Sequence, residues 1–592
     1  MSYRLRLFLA LILTVLAIFV GRLMYLQFAL AEEFRALSAE NFLRQERIMP
    51  LRGRILASDG TVLADNRIAV DLMYRGGEIL NWERIRFSLG LTGDPRPPDP
   101  NNARERLEGA AVIAWNIREE LIPALQELTA GQPNLYLRQR VERTYPTNLA
   151  AHVVGYTTEA DPWRFPGHAL GDLVGQMGLE AGLQSVLFGV PGAALVEVDN
   201  RGTVLNRRTI LPARPGQDVT LTIDPTVQHL AEEALKNALP YVNADRRSRG
   251  LPPESVVRGA IIALNPQTGD ILAMASQPTF DQNLFTRRPS PAEQITALLN
   301  DSVNFTLLNR AVEAYEPAST FKLVTGSALL EGGFIAPGSR FPCSGTFTFA
   351  GITWRNWAPG FRGNQDVRQA IADSCNTFFW NAIAGTAGWT VGWAPFVRSL
   401  TERALEFGFG QRIGVGLPEE KAGRVPTDAS SREVRGHPWR PGDTLNIAIG
   451  QGDMLATPLQ VAQLISTLAL GGTRVQPRLI KAIGDEPVAS EVTAVPGRHW
   501  RTLQEGLRML FTDFPAQRVM GPRVFPINVA GKTGTAQNPR GDGYFHAWFM
   551  GYGPIENPEL AVVVFIEHGG SSATVAVPTA RDFMAAYWGV SP

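Results

Sequence analysis

Ser319 and Lys322 stand three residues apart in "PASTFKLVTG" (317–326). On a helix that spacing puts both side chains on one face, about one turn apart. A serine hydroxyl is a poor nucleophile until a neighbouring base takes its proton. A lysine amine becomes that base once burial or a nearby cation lowers its pKa, whereas a guanidinium stays protonated. The residue choice matters in this chain, which has 51 arginines and only five lysines among 592 residues. Pro317 suits a helix start and would leave Ser319 at the positive end of the helix dipole. Taken alone, Ser-x-x-Lys is equally well an exposed helix face.

Two further stretches carry chemistry. In "DVRQAIADSCNTFFW" (366–380), Asp366 and Gln369 have capping-box spacing, and Ser374 and Asn376 lie two residues apart on the expected loop beyond. A hydroxyl and an amide so placed can relay a proton and orient a carbonyl, although Ser-x-Asn is also an ordinary turn. In "AGKTGTAQ" (530–537), Lys532 offers a point charge for a carboxylate, Thr533 and Thr535 offer hydroxyls, and Gly534 permits close backbone approach. This stretch resembles a phosphate loop, but Pro526 stands where that loop needs glycine and "GTAQNPRGDG" is not helical. Both departures argue against nucleotide binding. The chain also has no G-x-S-x-G elbow, which argues against an α/β-hydrolase.

The elements that must position these groups follow from pattern. "VVRGAIIALNPQTGDILAMASQP" (256–278) is two apolar runs around a turn, a hairpin. Helical segments and loops follow to about residue 525, then "INVAGKTGTAQ", "AWFMGYGP" and "LAVVVFIEHGG" as three strands, and a last helix near 573–588. The order implies an α+β fold with an antiparallel sheet flanked by helices. Upstream, residues 225–239 form an amphipathic helix behind Pro225. "ASDG" (57–60) is a turn between the strands "GRIL" and "TVLADN". Residues 66–170 read as irregular, with a loop over 91–107, and the segment from Ala31 starts helical before turning strand-like.

The length calls for more than one core. Zero net charge and a pI near 7.1 give no basic face for nucleic acid. Cys343 and Cys375 make neither a disulfide framework nor a four-cysteine zinc site; they read as two small core residues, with one disulfide as the alternative. Arg4 and Arg6 precede an apolar run from Leu7 to Val20 that resumes after Arg22 and continues to Leu30. This pattern predicts an uncleaved single-pass anchor with a cytoplasmic N-terminus and an extracytoplasmic body. A cleaved signal peptide is the competing reading.

Taken together and in order, with 55 residues from Ser319 to Ser374 and 158 from Ser374 to Lys532, the three motifs are the signature of penicillin-recognising acyl-serine enzymes. The chain resembles the class B penicillin-binding proteins from its anchor to its C-terminus. "RGRILASDGTVLADN" (52–66), "RTYPTNLAAHVVGY" (143–156) and "GQMGLEAGLQSVLFGVPG" (175–192) are similar to the family's non-catalytic motifs. "WRPGDTLNIAIGQGDMLATPLQ" (439–460), "SCNTFFW" and "FGFGQRIGVGLPEE" make it most similar to the elongation-type group, penicillin-binding protein 2. The division-specific group is the alternative, with a β-lactamase or a β-lactam sensor behind it.

The resemblance implies three parts: residues 1–31 as tail and anchor, 32–254 as an elongated non-catalytic pedestal, and 255–592 as a serine β-lactamase-like transpeptidase domain. It implies a D,D-transpeptidase of the bacterial inner membrane that cross-links peptidoglycan stem peptides during elongation and is inhibited by β-lactams. Its implied partner, through the anchor helix and the pedestal near Arg52–Asn66, is a polytopic RodA-type glycosyltransferase; Arg22 and Gln27, polar groups at the outer end of the anchor, favour a protein neighbour over lipid and are the expected contacts there. The carried-over roles are Ser319 as nucleophile, Lys322 as base, and Ser374 and Lys532 as proton relay. Asn376, Thr533, Gly534 and Thr535 would bind substrate, and the Ser319 and Thr535 amides would form the oxyanion hole. No cofactor and no metal are implied. Two positions depart from the family: Ala318 replaces the usual glycine before the serine, and "APGFRGNQD" lacks the histidine that many elongation-type members carry there.

Overall fold

The computed structural model describes residues 3–29, 43–161, 164–169, 171–198, 204–386, 393–513, 517–521, 523–537 and 544–591. The chain divides into two compact units, one of residues 1–52, 66–142 and 188–216, the other of residues 53–65, 143–187 and 217–592.

In the first unit, helix α1 (Tyr3–Met24) continues as a wider turn to Ala29. Leu7–Phe28 is the one helix among the described residues long and apolar enough to cross a membrane, and its side chains are exposed. The helical start expected just beyond the anchor lies outside the described residues. The unit also holds an antiparallel three-stranded sheet of Leu43–Ile48, Gly192–Val198 and Val204–Leu211. Separately, Leu72, Tyr74, Ile85, Ile117, Leu125 and Leu135 form a small core of their own. Two features differ from expectation. The strand after the "ASDG" turn runs on from Val62 to Tyr74, because Ala69–Tyr74 are all buried. The expected loop 91–107 contains the start of a short helix, Ala103–Glu108, capped by the Asn102 side chain on the amides of Arg104 and Glu105.

The second unit is built on a five-stranded antiparallel sheet in the order β2-β1-β5-β4-β3, where β1 is Gly259–Leu264, β2 Ile271–Gln277, β3 Ala530–Ala536, β4 His546–Gly553 and β5 Leu560–Ile566. The two halves of the sequence thus meet at β1 and β5, in register from Gly259↔Ile566 to Leu264↔Ala561. Every residue of β1, β4 and β5 is buried, as a sheet covered on both faces requires. Helices α2 (Pro225–Lys236), α3 (Leu239–Ser248) and α9 (Ala576–Trp588) contribute to the cluster on one face, through Val227, Leu235, Val242, Phe583 and Met584. On the other face lie α4 (Lys322–Glu331), α5 (Val367–Ala372), α6 (Asn376–Thr386) and the wholly buried α7 (Pro458–Ala469), with α8 (Trp500–Thr512) packed against α5.

Residues 217–254, assigned from sequence to the pedestal, therefore belong to the sheet-bearing unit, because α2 and α3 bury their apolar faces on it. The motif segments 143–156 and 175–187 lie in this unit too. Arg143 Nε donates to Glu180 Oε1 at 2.7 Å with both side chains fully buried, and Tyr145 also reaches that carboxylate. Breaking such a pair strands a buried charge, at about 3–5 kcal/mol.

Candidate active site

Ser319 lies in a 3-10 turn, Ala318–Phe321, that leads directly into α4 at Lys322. Pro317 caps the turn, as its position suggested. Ala318 has φ +50°, a left-handed conformation in which a Cβ is strained, so the glycine usual at this place has a backbone reason. Its amide donates to Gly450 O at 2.8 Å, fixing the turn against residues 448–452.

Lys322 is fully buried. Its Nζ lies 2.6 Å from Ser374 O, 2.6 Å from Asn376 Oδ1 and 3.3 Å from Ser374 Oγ. The two near partners are pure acceptors, and a neutral amine has two protons to give them. A neutral amine bound in this way keeps one lone pair with which to accept a hydroxyl proton. Burial, with the Lys532 ammonium adding to it, holds the Lys322 amine well below the usual lysine range, while Asp373 pulls the other way. Arginine offers no lone pair in this place.

The second motif is a tight turn between α5 and α6. Asp366 accepts the amides of Arg368 and Gln369 in the expected capping box. Ser374 follows with φ +57°, and Asn376 opens α6. Cys343 and Cys375 are bonded as a disulfide across a Cα–Cα distance of 6.1 Å, which replaces the simpler reading of two independent core residues. The bond ties the residue between Ser374 and Asn376 to the segment carrying Phe341–Pro342. Asn356 Oδ1 accepts the Asn376 amide at 3.1 Å. Arg362 grips Asp373 through Nε at 2.7 Å and Nη2 at 2.6 Å, and Gln365 Nε2 adds a third donor at 2.8 Å. The loop without histidine thus holds its buried carboxylate with a guanidinium. No group of three or more metal-ligating side chains is found among the described residues.

The third motif is β3, the edge strand beside β4. Alternation puts Lys532 and Gly534 on one side and Thr533 and Thr535 on the other. Lys532 is fully buried and donates to Thr533 O at 2.8 Å. Burial pushes its amine down to about 7, against the pull of Asp373. A Cβ on Gly534 would lie 3.3 Å from Pro317 O and 3.2 Å from Thr320 Cγ2, so the strand packs against the nucleophile's own turn. Thr533 is half-buried and Thr535 exposed.

The structure therefore gathers all three motifs: the turn carrying Ser319 packs against β3, and Lys322 joins Ser374 and Asn376. Sequence reasoning missed Asn356, Arg362 and Asp373, which brace the second motif, and Ser572, whose hydroxyl lies 2.8 Å from Thr535 Oγ1. These are ordinary polar residues in loops, without periodicity or motif to mark them.

A serine at a helix start, a buried amine one turn on, and a lysine-bearing edge strand beside them are the groups that serine acyl transfer calls for. Residues 259–585 match the penicillin binding protein transpeptidase domain, and the chain belongs to that family. Residues 47–221 match the penicillin-binding protein dimerisation domain. Among curated relatives, "Peptidoglycan D,D-transpeptidase MrdA" of Acinetobacter baumannii is 28% identical over 97% of this chain and 87% of its own length. The MrdA of Haemophilus influenzae is 29% identical over 95% of this chain and 88% of its own length. A solved chain described under "Structural coordination of polymerization and crosslinking by a peptidoglycan synthase complex" is 45% identical with TM-score 0.80, covering 100% of this chain and 98% of that one. Pseudomonas aeruginosa PBP2, solved in complex with WCK 5153, is 28% identical with TM-score 0.65, over 92% and 96% of the two chains.

Proposed function

We propose that the protein is a peptidoglycan D,D-transpeptidase of the elongation type, acting by a serine acyl-enzyme. The observation that carries this reading is the buried Lys322 amine, held by two acceptors one turn from Ser319. Ser319 Oγ attacks the penultimate D-alanine carbonyl of a stem peptide while Lys322 takes its proton. The amides of Ser319 and Thr535 stabilise the oxyanion, at about 3 kcal/mol per donor. The C–N bond breaks, and the terminal D-alanine leaves with a proton relayed through Ser374, Lys322 and Lys532. An amine of a neighbouring stem then attacks the ester, its proton returns to Ser319, and the cross-link forms. Asn376 orients the peptide, Gly534 lets the strand close on the nucleophile's turn, and Lys532, Thr533 and Thr535 hold the terminal carboxylate. β-Lactams enter as donor mimics and stop at the ester.

The apolar helix Leu7–Phe28 supports a single-pass anchor in the bacterial inner membrane, with the N-terminus cytoplasmic and the enzyme outside. The partner is a polytopic glycosyltransferase of the RodA type, docked through anchor and pedestal. The 45% identical neighbour described as part of a peptidoglycan synthase complex supports that pairing. The test is reconstitution with a donor pentapeptide and an acceptor amine. D-Alanine release and a cross-linked dimer are expected from the native protein and neither from Ser319→Ala. Release by the alanine variant would overturn the reading.

A further inference from the structure

Ser572 sits in the loop between β5 and α9, in none of the three motifs, and is nevertheless buried against the third. Its hydroxyl donates to Gly534 O and lies 2.8 Å from Thr535 Oγ1, while its amide donates to Thr535 Oγ1 at 3.4 Å. The loop is held from the far side. Asp245, on α3, accepts Thr574 Oγ1 at 2.9 Å and the Ser571 amide at 3.4 Å.

The proton count at this contact is decisive. Gly534 O can only accept, so it takes the Ser572 proton. With that proton committed, Ser572 Oγ accepts from Thr535, and the Thr535 hydroxyl points away from an incoming carboxylate. Rotating the Ser572 hydroxyl from Gly534 O to Thr535 Oγ1 reverses the second bond. The Thr535 proton is then released toward solvent, on a side chain whose oxygen stays held in place. No atom need move more than a hydroxyl hydrogen.

We propose that Ser572 is a positioning residue for recognition of the acyl donor's carboxylate. It fixes the Thr535 side chain and, by turning its own hydroxyl, makes Thr535 a donor when an anion arrives. The ligand class is an acyl donor ending in a free carboxylate, a D-alanyl peptide or a penicillin. The inference rests on the reading of Ser319 as nucleophile and Thr535 as carboxylate holder.

The test compares acylation of the full-length protein by benzylpenicillin and by its methyl ester, which lacks the anion. The binding and acylation steps are separated by stopped flow. The native protein is expected to prefer the acid at least tenfold. Ser572→Ala should reduce that preference to within about threefold of unity, through weaker binding of the acid, with the acid losing several times more than the ester. Ser572→Thr, which keeps the hydroxyl, should retain the preference. Equal losses for acid and ester in Ser572→Ala would make it a packing residue only and overturn the proposal. A preference lost in Thr535→Ala but kept in Ser572→Ala would overturn it while sparing the carboxylate reading. A preference kept in Thr535→Ala would overturn that reading itself.

Discussion

Asn376→Asp is nearly isosteric and puts a carboxylate oxygen where the amide oxygen now lies, 2.6 Å from Lys322 Nζ. The charged amine gains a partner that the neutral amine does not. At an effective dielectric of 20, unit charges this close interact by about 6 kcal/mol. Half of that would make the neutral amine about a hundredfold rarer, at 1.4 kcal/mol per tenfold. Acylation by benzylpenicillin should therefore fall by about a hundredfold on the acid side of the profile, where the ammonium prevails in both proteins. The sign is fixed: stabilising the ammonium raises its pKa, so activity returns about tenfold per unit as pH rises. Asn376→Ala removes the bond without adding charge and should show a loss without that added slope. Stopped-flow acylation between pH 6 and 10 reads both variants. An aspartate variant with the native pH profile would refute Lys322 as a base working in its neutral form.

Three other perturbations probe the supports of the same site. Lys532→Met removes the like charge that helps depress Lys322, so the acid limb of the acylation profile should move to higher pH; an unmoved limb would show that the two amines are not coupled. Gly450→Ala, at φ +71°, would set a Cβ 2.1 Å from Ala318 O. It should cost roughly 1–3 kcal/mol in unfolding experiments and slow acylation more than tenfold, because the nucleophile's turn must shift. Replacing Cys343 and Cys375 together by alanine opens a link between residues 32 apart. It should lower the unfolding free energy by about 2–4 kcal/mol and slow acylation while leaving Ser319 reactive; native acylation rates would show that the link does not hold the second motif.

The chemistry of this chain was legible because acyl transfer needs particular side chains in contiguous stretches. A serine with a neutral amine one turn on, and a lysine on a strand ahead of glycine, can be read without knowing the fold. The sheet was legible from its apolar runs, which are long because both faces are covered. What escaped depends on contacts between distant segments. The amphipathic pattern of α2 shows that it has a buried face but not which sheet it covers, so residues 217–254 looked like part of the pedestal. Two cysteines do not announce a pairing, since a bond needs their Cα atoms close and not merely their presence. The arginine that holds Asp373 is one of 51, and Ser572 has no neighbour in sequence that hints at Thr535. The strain at Ala318 and Ser374 is a matter of φ, which residue type suggests only when glycine is present.

The central claim is that Ser319 carries the acyl group. Intact mass of the protein after benzylpenicillin, followed by peptide mapping, tests it most directly. One adduct per chain on the peptide containing Ser319, and none on Ser319→Ala, is the predicted result. An adduct on the alanine variant, or on any other residue of the native protein, would contradict it.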